Sequence, residues 1–245
     1  MPYVLTCVLL PCGGVFLVCC NSAELADNDL MGTIPFEISW LSDLRELNLN
    51  RGYLHGTIPD QIGSKLSNLR LIQLFANELT GTIPPWIIGP PSSSSNSGSS
   101  STATTTTNGG GANDDEEATM PMEEEYVLTN LDRVLLGANY FTGMIPTSRT
   151  ISKAMARLQF GGGNFLTGTI PEELFDIDEE ETNSIYAVSF SNNMLSGPIP
   201  TTVGKLSGSL RIFDFNNNIL TGSIPSEIGL LTELRDLYLR DNELR

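Results

Sequence analysis

One string recurs through the chain and constrains its fold more than any other feature. NDLMGTIP begins at Asn28, NELTGTIP at Asn77, NYFTGMIP at Asn139, NFLTGTIP at Asn164, NMLSGPIP at Asn193 and NILTGSIP at Asn218. A further copy, GYLHGTIP, begins at Gly52, and an eighth starts at Asn242 and stops at Arg245. The Ile-Pro pairs begin at 34, 58, 83, 145, 170, 199 and 224, so successive spacings are 24, 25, 62, 25, 29 and 25. Self-similarity at a short fixed period marks a solenoid. Each unit is too small to bury its own apolar face and must stack on its neighbours.

An apolar triplet precedes each string. Leu44, Leu47 and Leu49 lead to Gly52, Leu69, Ile72 and Leu74 to Asn77, and Leu131, Val134 and Leu136 to Asn139. Ile185, Val188 and Phe190 lead to Asn193, Leu210, Phe213 and Phe215 to Asn218, and Leu234, Leu237 and Leu239 to Asn242. In x-L-x-L-x alternate side chains share a face, as a short strand requires, with the leucines inward and the intervening residues outward. An Asn amide both donates and accepts, so at Asn28, Asn77, Asn139, Asn164, Asn193, Asn218 and Asn242 it can satisfy backbone groups where the chain turns inward. The Pro fixes φ and donates no hydrogen bond, which suits a turn or an edge.

The full pattern, L-x-x-L-x-L-x-x-N-x-L-x-G-x-I-P, resembles the plant-type leucine-rich repeat. The period falls in that family's range of roughly 20–29 residues. The resemblance covers nearly everything outside residues 1–19 and an insertion near 89–125. It implies an α/β-type repeat solenoid: mostly short parallel β-strands with a 3-10 or irregular outer side, wound into a curved right-handed superhelix. It also implies that the asparagines form a ladder and that the concave face holds the ligand.

Two departures carry expectations of their own. Gly52 removes one rung of the ladder, so that coil should be locally looser. The fifth repeat, with Met155, Leu158 and Phe160, then runs Gly161-Gly162-Gly163 before Asn164, one residue longer than its siblings, which implies a bulge or flexible strand exit.

The 62-residue spacing is one repeat plus about 37 extra residues. Ser, Thr and Gly tracts followed by acids cannot bury enough apolar surface to offset ordering entropy. Residues 90–125 are therefore expected to form a disordered loop between repeats 1–3 (20–89) and repeats 4–8 (126–245). Leu131 restarts the pattern in register, so the stack should resume across it. The formal net charge is −16, with seven acids between Asp114 and Glu125 and seven more between Glu172 and Glu181. Runs of this kind are usually solvated, and acidity of this size argues against nucleic-acid phosphates as a partner.

All four cysteines, Cys7, Cys12, Cys19 and Cys20, lie in the first twenty residues, so neither disulfides nor zinc hold the body together. Tyr3 to Cys20 is uncharged and mostly apolar. A signal peptide, a membrane anchor and a degenerate cap or mistaken gene start remain open readings of this segment.

No reaction chemistry emerges, and neither cofactor nor metal is implied. His55 is the chain's single histidine and lies in an LHGTIP turn. The GGGNFLTG stretch lacks the Lys-Ser/Thr of a phosphate loop, and no kinase signature occurs. Function then falls to the outward strand positions. These are Glu46, Asn48, Asn50 and Arg51 in the second repeat and Gln73 and Phe75 in the third. In the C-terminal repeats they are Ser189, Ser191, Asp214, Asn216, Asp236, Tyr238 and Arg240. Phe75 and Tyr238 are the expected anchors, since aromatics and Arg dominate interface energetics. The mixed polar surface suits a protein, peptide or glycan. The leading reading is a non-catalytic recognition module, extracellular or at the plasma membrane, with membrane association through the N-terminal segment or a region beyond Arg245. The alternatives are a cytoplasmic interaction scaffold and the regulatory part of a larger receptor kinase. The lack of any N-x-S/T sequon counts against the first.

Overall fold

The computed structural model describes residues 20–89, 128, 130–147, 154–177 and 184–245. The apolar N-terminal segment and the 90–125 insertion lie outside these residues. Within them, eight strands of three residues each form one all-parallel sheet in chain order: Ser22–Glu24, Glu46–Asn48, Leu71–Gln73, Arg133–Leu135, Arg157–Gln159, Ala187–Ser189, Ile212–Asp214 and Asp236–Tyr238. Equivalent residues pair throughout, so that Glu46, Leu71, Arg133, Arg157, Ala187, Ile212 and Asp236 form one row. The central side chain of each inner strand points into the core. Leu47, Ile72, Val134, Leu158, Val188 and Phe213 are all buried. The third strand pairs directly with the fourth, Ile72 opposite Val134, across the long gap in sequence.

A second row of strands was not anticipated, because L-x-G-x-I-P reads as a turn rather than a strand. Met31–Thr33, Tyr53–Gly56 and Glu78–Leu79 form a three-stranded parallel sheet. Thr142–Met144, Phe165–Thr169, Met194–Gly197, Ile219–Gly222 and Glu243–Leu244 form a five-stranded one. A bridge between Thr82 and Thr142 connects the two. The repeat glycine in or just after the first seven of these strands has a positive φ, 80° at Gly56, where a Cβ would also press on the Thr33 methyl of the preceding coil at 3.0 Å. The outer side is not wholly irregular, since each coil also carries ordered pairing next to its turn.

Beyond the prolines lie short 3-10 turns, Phe36–Trp40, Pro85–Ile87, Glu172–Leu174, Thr201–Leu206 and Ser226–Leu230, and one α-helical turn, Gln61–Lys65. Pro35, Pro84, Pro171, Pro200 and Pro225 immediately precede the five 3-10 turns with φ between −61° and −74°, where the pyrrolidine ring holds it. Between sheets and turns runs one continuous core from Leu30 to Leu231. In the fifth to seventh coils Phe replaces Leu, and the rings form a spine: Phe160 and Phe190 are 5.0 Å apart, Phe190 and Phe215 5.2 Å, Phe213 and Phe215 4.5 Å.

Candidate functional site

The side chains flanking each central strand residue stand on the outer face of the eight-stranded sheet. The strand exits set the spacing of this surface. Asp27, Arg51, Ala76, Ala138, Asn192, Asn217 and Asp241 all take left-handed backbone angles, φ 52–56°. They turn the chain inward just before the ladder position. In the fifth coil that turn is longer. Phe160 and Gly161 both donate to the Ser189 carbonyl, at 2.9 and 3.1 Å, while Gly162 and Gly163 take φ of 94° and 108°. The extra glycine is thus a bulge.

Behind the exits lie the asparagines. Asn139 donates to the carbonyls of Leu74 (2.8 Å) and Leu136 (3.1 Å) and accepts from the Leu79 N–H (3.0 Å), tying its own coil to the one before. Asn164 accepts from Phe141, Asn193 from Leu166, Asn218 from Leu195 and Asn242 from Leu220, each at 3.0–3.1 Å. Asn28 differs, for it is exposed and donates to Leu25 and Ala26 of its own coil. Nor does Gly52 leave a gap. Asn77 Oδ1 accepts from both Gly52 and Leu54, each at 3.2 Å, and Asn77 Nδ2 donates to the Leu49 carbonyl at 2.8 Å.

On the outer face several candidate residues are tied to one another. Asn50 donates to Gln73 Oε1 (2.8 Å), and its own Oδ1 accepts from the Phe75 N–H (2.7 Å). Asn216 accepts likewise from the Arg240 N–H, at 2.6 Å. Ser189 donates to Asp214 (2.9 Å), and Asn48 to Glu24 (2.8 Å). Asn50 and Asn216 therefore satisfy strand-end N–H groups as well as facing outward. Arg51 pairs with Asp27 at 3.1 Å and Arg240 with Asp241 at 2.9 Å, both in full solvent, where such pairs contribute little. Glu46 and Asp236 begin their strands half-buried, and Ser191 is buried beside the bulge. Tyr238 is exposed, but Phe75 is half-buried. The Phe75 ring lies 3.3 Å from where a Cβ on Gly137 would stand.

The middle of the face holds residues that the sequence reading passed over. Arg133 and Arg157 begin adjacent strands, directly in register. Arg133 Nε donates to Asp132 at 3.0 Å, and that bond raises the guanidinium above its ordinary value against the opposing effect of burial. Asp132, Tyr186 and Glu46 add to the rise through their charges. Arg157 Nη2 donates to the neutral amide of Gln159 at 2.8 Å. Farther along the same two strands Gly137 and Gly161 carry no side chain. The result is a shallow floor between Phe75 and the Ser189–Ser191 pair, with two cations at one end.

Known proteins share this architecture. The leucine-rich-repeat family model matches residues 209–231. Over 154 residues, 63% of this chain, the sequence is 38% identical to phytosulfokine receptor 1 of Arabidopsis thaliana. The chain aligns at a TM-score of 0.69 and 28% identity with the ectodomain of the Arabidopsis membrane receptor kinase GASSHO1/SCHENGEN3, solved with CASPARIAN STRIP INTEGRITY FACTOR 2. It aligns at 0.70 and 25% identity with the plant peptide hormone receptor RGFR1, solved with RGF2. Each alignment covers 91% of this chain.

The chain has the leucine-rich-repeat fold and is similar to plant receptors of that kind. It spans only part of its relatives, 14% of phytosulfokine receptor 1 and 21% and 29% of the two solved chains. Applying the repeat's own alternation to its fourth and fifth coils points straight to Arg133, Leu135, Arg157 and Gln159, so the signal for the missed residues was present in the sequence.

Proposed function

We propose that this leucine-rich-repeat chain is the ligand-recognition part of a receptor-like or secreted protein, working outside the cell or at the plasma membrane. It holds a peptide, or an extended protein segment, across the outer face of the eight-stranded sheet, the concave face in this family. The observation that carries the reading is the pair Arg133 and Arg157. Side by side in a chain of net charge −16, they bring two guanidiniums to one part of the face, Arg133 paired with Asp132 and Arg157 hydrogen-bonded to a neutral amide. A carboxylate placed between them gains charge-assisted hydrogen bonds. The glycine floor lets a ligand backbone approach the sheet, and Phe75 supplies an apolar wall.

The role is recognition without catalysis. The outer face offers amides, hydroxyls and guanidiniums in rows, and His55 sits on the second sheet, facing away from them. The likeness to receptors solved with peptide hormones supports a peptide rather than a glycan.

A library of synthetic peptides with free C-terminal carboxylates, titrated against the full chain, tests this. Selected binders should weaken about tenfold or more on C-terminal amidation and in the double variant Arg133→Gln/Arg157→Gln, the range for losing a buried charged contact. Binders indifferent to both changes would overturn the assignment of the arginine pair.

A further inference from the structure

The second row of strands carries a surface that the repeat does not explain. The residue after each ladder position begins or just precedes that row and is exposed. In the fourth to seventh coils it is Tyr140, Phe165, Met194 and Ile219, each between 44% and 49% exposed. At the same position Tyr53 serves the second coil, and Asp29, Glu78 and Glu243 serve the first, third and eighth, whose second-row strands also pair. Folding therefore makes no demand for an apolar residue here. Four large apolar groups in four consecutive coils form a contiguous exposed patch of the kind that marks a protein-contact site.

Two features prepare this ridge for contact. Tyr140 and Phe165 stack with ring centroids 6.1 Å apart and planes 20° from parallel, so part of it is ordered before any partner arrives. The register then sets each apolar residue beside a neutral hydroxyl, Phe165 by Thr142, Met194 by Thr167 and Ile219 by Ser196. Charge is missing where an interface core lacks it.

The rim says what kind of partner fits. Glu78 closes the ridge at one end and Glu243 at the other, both exposed. Farther along the same coils, a groove of about 710 Å³ is lined by Met144 and Thr169, with Glu172 and Glu173 as its charged residues. Neither Lys nor Arg occupies an outward second-row position in coils one to seven, and the one in the eighth, Arg245, stands two places beyond Glu243. We propose that this ridge is a docking surface for a second, basic protein partner, which lays an apolar strip over Tyr140, Phe165, Met194 and Ile219 while flanking lysines or arginines meet the acidic rim. A second copy of this chain is a poor occupant, because it would bring two acidic rims and two charges of −16 together. The site uses no residue of the arginine-bearing face, so the two readings stand or fall separately.

The probe is an amphipathic helical peptide with a Leu/Phe strip flanked by lysines, together with its counterpart bearing glutamates for lysines. Each is titrated by fluorescence anisotropy into the full chain. The lysine peptide should bind, and the glutamate peptide about tenfold more weakly or worse. Phe165→Ser/Met194→Ser should cost about tenfold or more in affinity for the lysine peptide, with an unchanged circular dichroism spectrum. Glu78→Gln/Glu243→Gln should weaken binding and flatten its salt dependence. Arg133→Gln/Arg157→Gln should not lower the affinity for the lysine peptide. Equal binding by wild type and the serine variant would overturn the proposal, since acids elsewhere would then hold the peptide. So would sedimentation of the free chain as a dimer that the serine variant abolishes, because the occupant would then be a second copy.

Discussion

The carbonyl oxygen of Gly161 stands 2.0 Å from the point a Cβ on Gly137 would occupy. No side chain at 137 can coexist with the present spacing of the fourth and fifth coils. Gly137→Ala must push two backbones apart, and overpacking of this kind costs about 1–3 kcal/mol. Urea unfolding of the full chain measures it. A midpoint unchanged from wild type would mean that the coils are not held at this separation.

Restoring the ladder residue at position 52 should fail. A Cβ on Gly52 would meet Asn77 Oδ1 at 2.9 Å and the Leu30 carbonyl at 3.2 Å. Asn77 has already taken the Gly52 N–H. Gly52→Asn should therefore lose about 1 kcal/mol rather than gain stability, although it matches the asparagine of its seven sibling repeats. A higher unfolding midpoint would show that the missing rung is a defect after all.

The ladder is not uniform, and its two extremes should separate. Asn139→Ala strips the buried Leu79 N–H of its partner, at about 1–3 kcal/mol, while the Leu74 and Leu136 carbonyls keep Asn77 and Asn164 as donors. Asn28 is exposed and bonds only within its own coil, so Asn28→Ala should stay within about 0.5 kcal/mol of wild type. Similar losses for both would deny that the inter-coil bonds matter.

Deleting residues 92–122 should leave cooperative unfolding and its midpoint nearly unchanged. Leu71–Gln73 and Arg133–Leu135 pair directly, and each halving of a loop alters closure entropy by only about 0.6 kcal/mol. A deletion variant that unfolds in two separate steps would contradict this.

The eight-stranded sheet was readable from the sequence because its signal is strong and local. In Leu44-x-x-Leu47-x-Leu49, alternation assigns every residue to a face, and the repeat fixes the register. The second row was not readable. Gly56 and Gly168 lie within strands, where a single chain reads them as turn residues, and the neighbouring coil's threonine or methionine side chain joins the positive φ in requiring glycine there. Gly52 misled in the opposite direction. Of the groups a rung at 52 would meet, Asn28 takes the Leu30 N–H and the Leu25 carbonyl, and Asn77, twenty-five places on, takes the Leu49 carbonyl, farther than any local rule sees. The half-burial of Phe75 has the same origin, since its contact is the absence of side chains at Gly137 and Gly162 on the next two coils.

The pairing of the third coil with the fourth has a consequence for what continuity means in this chain. Three strand residues in register, the Asn139 amide on Leu74 and the Thr82–Thr142 bridge join the two coils without help from the peptide link between 89 and 128. A protease cut in that link would separate the polypeptide into two molecules but leave one solenoid. The halves should travel together through gel filtration and part only in denaturant. The same two pieces, made separately, should be able to find each other.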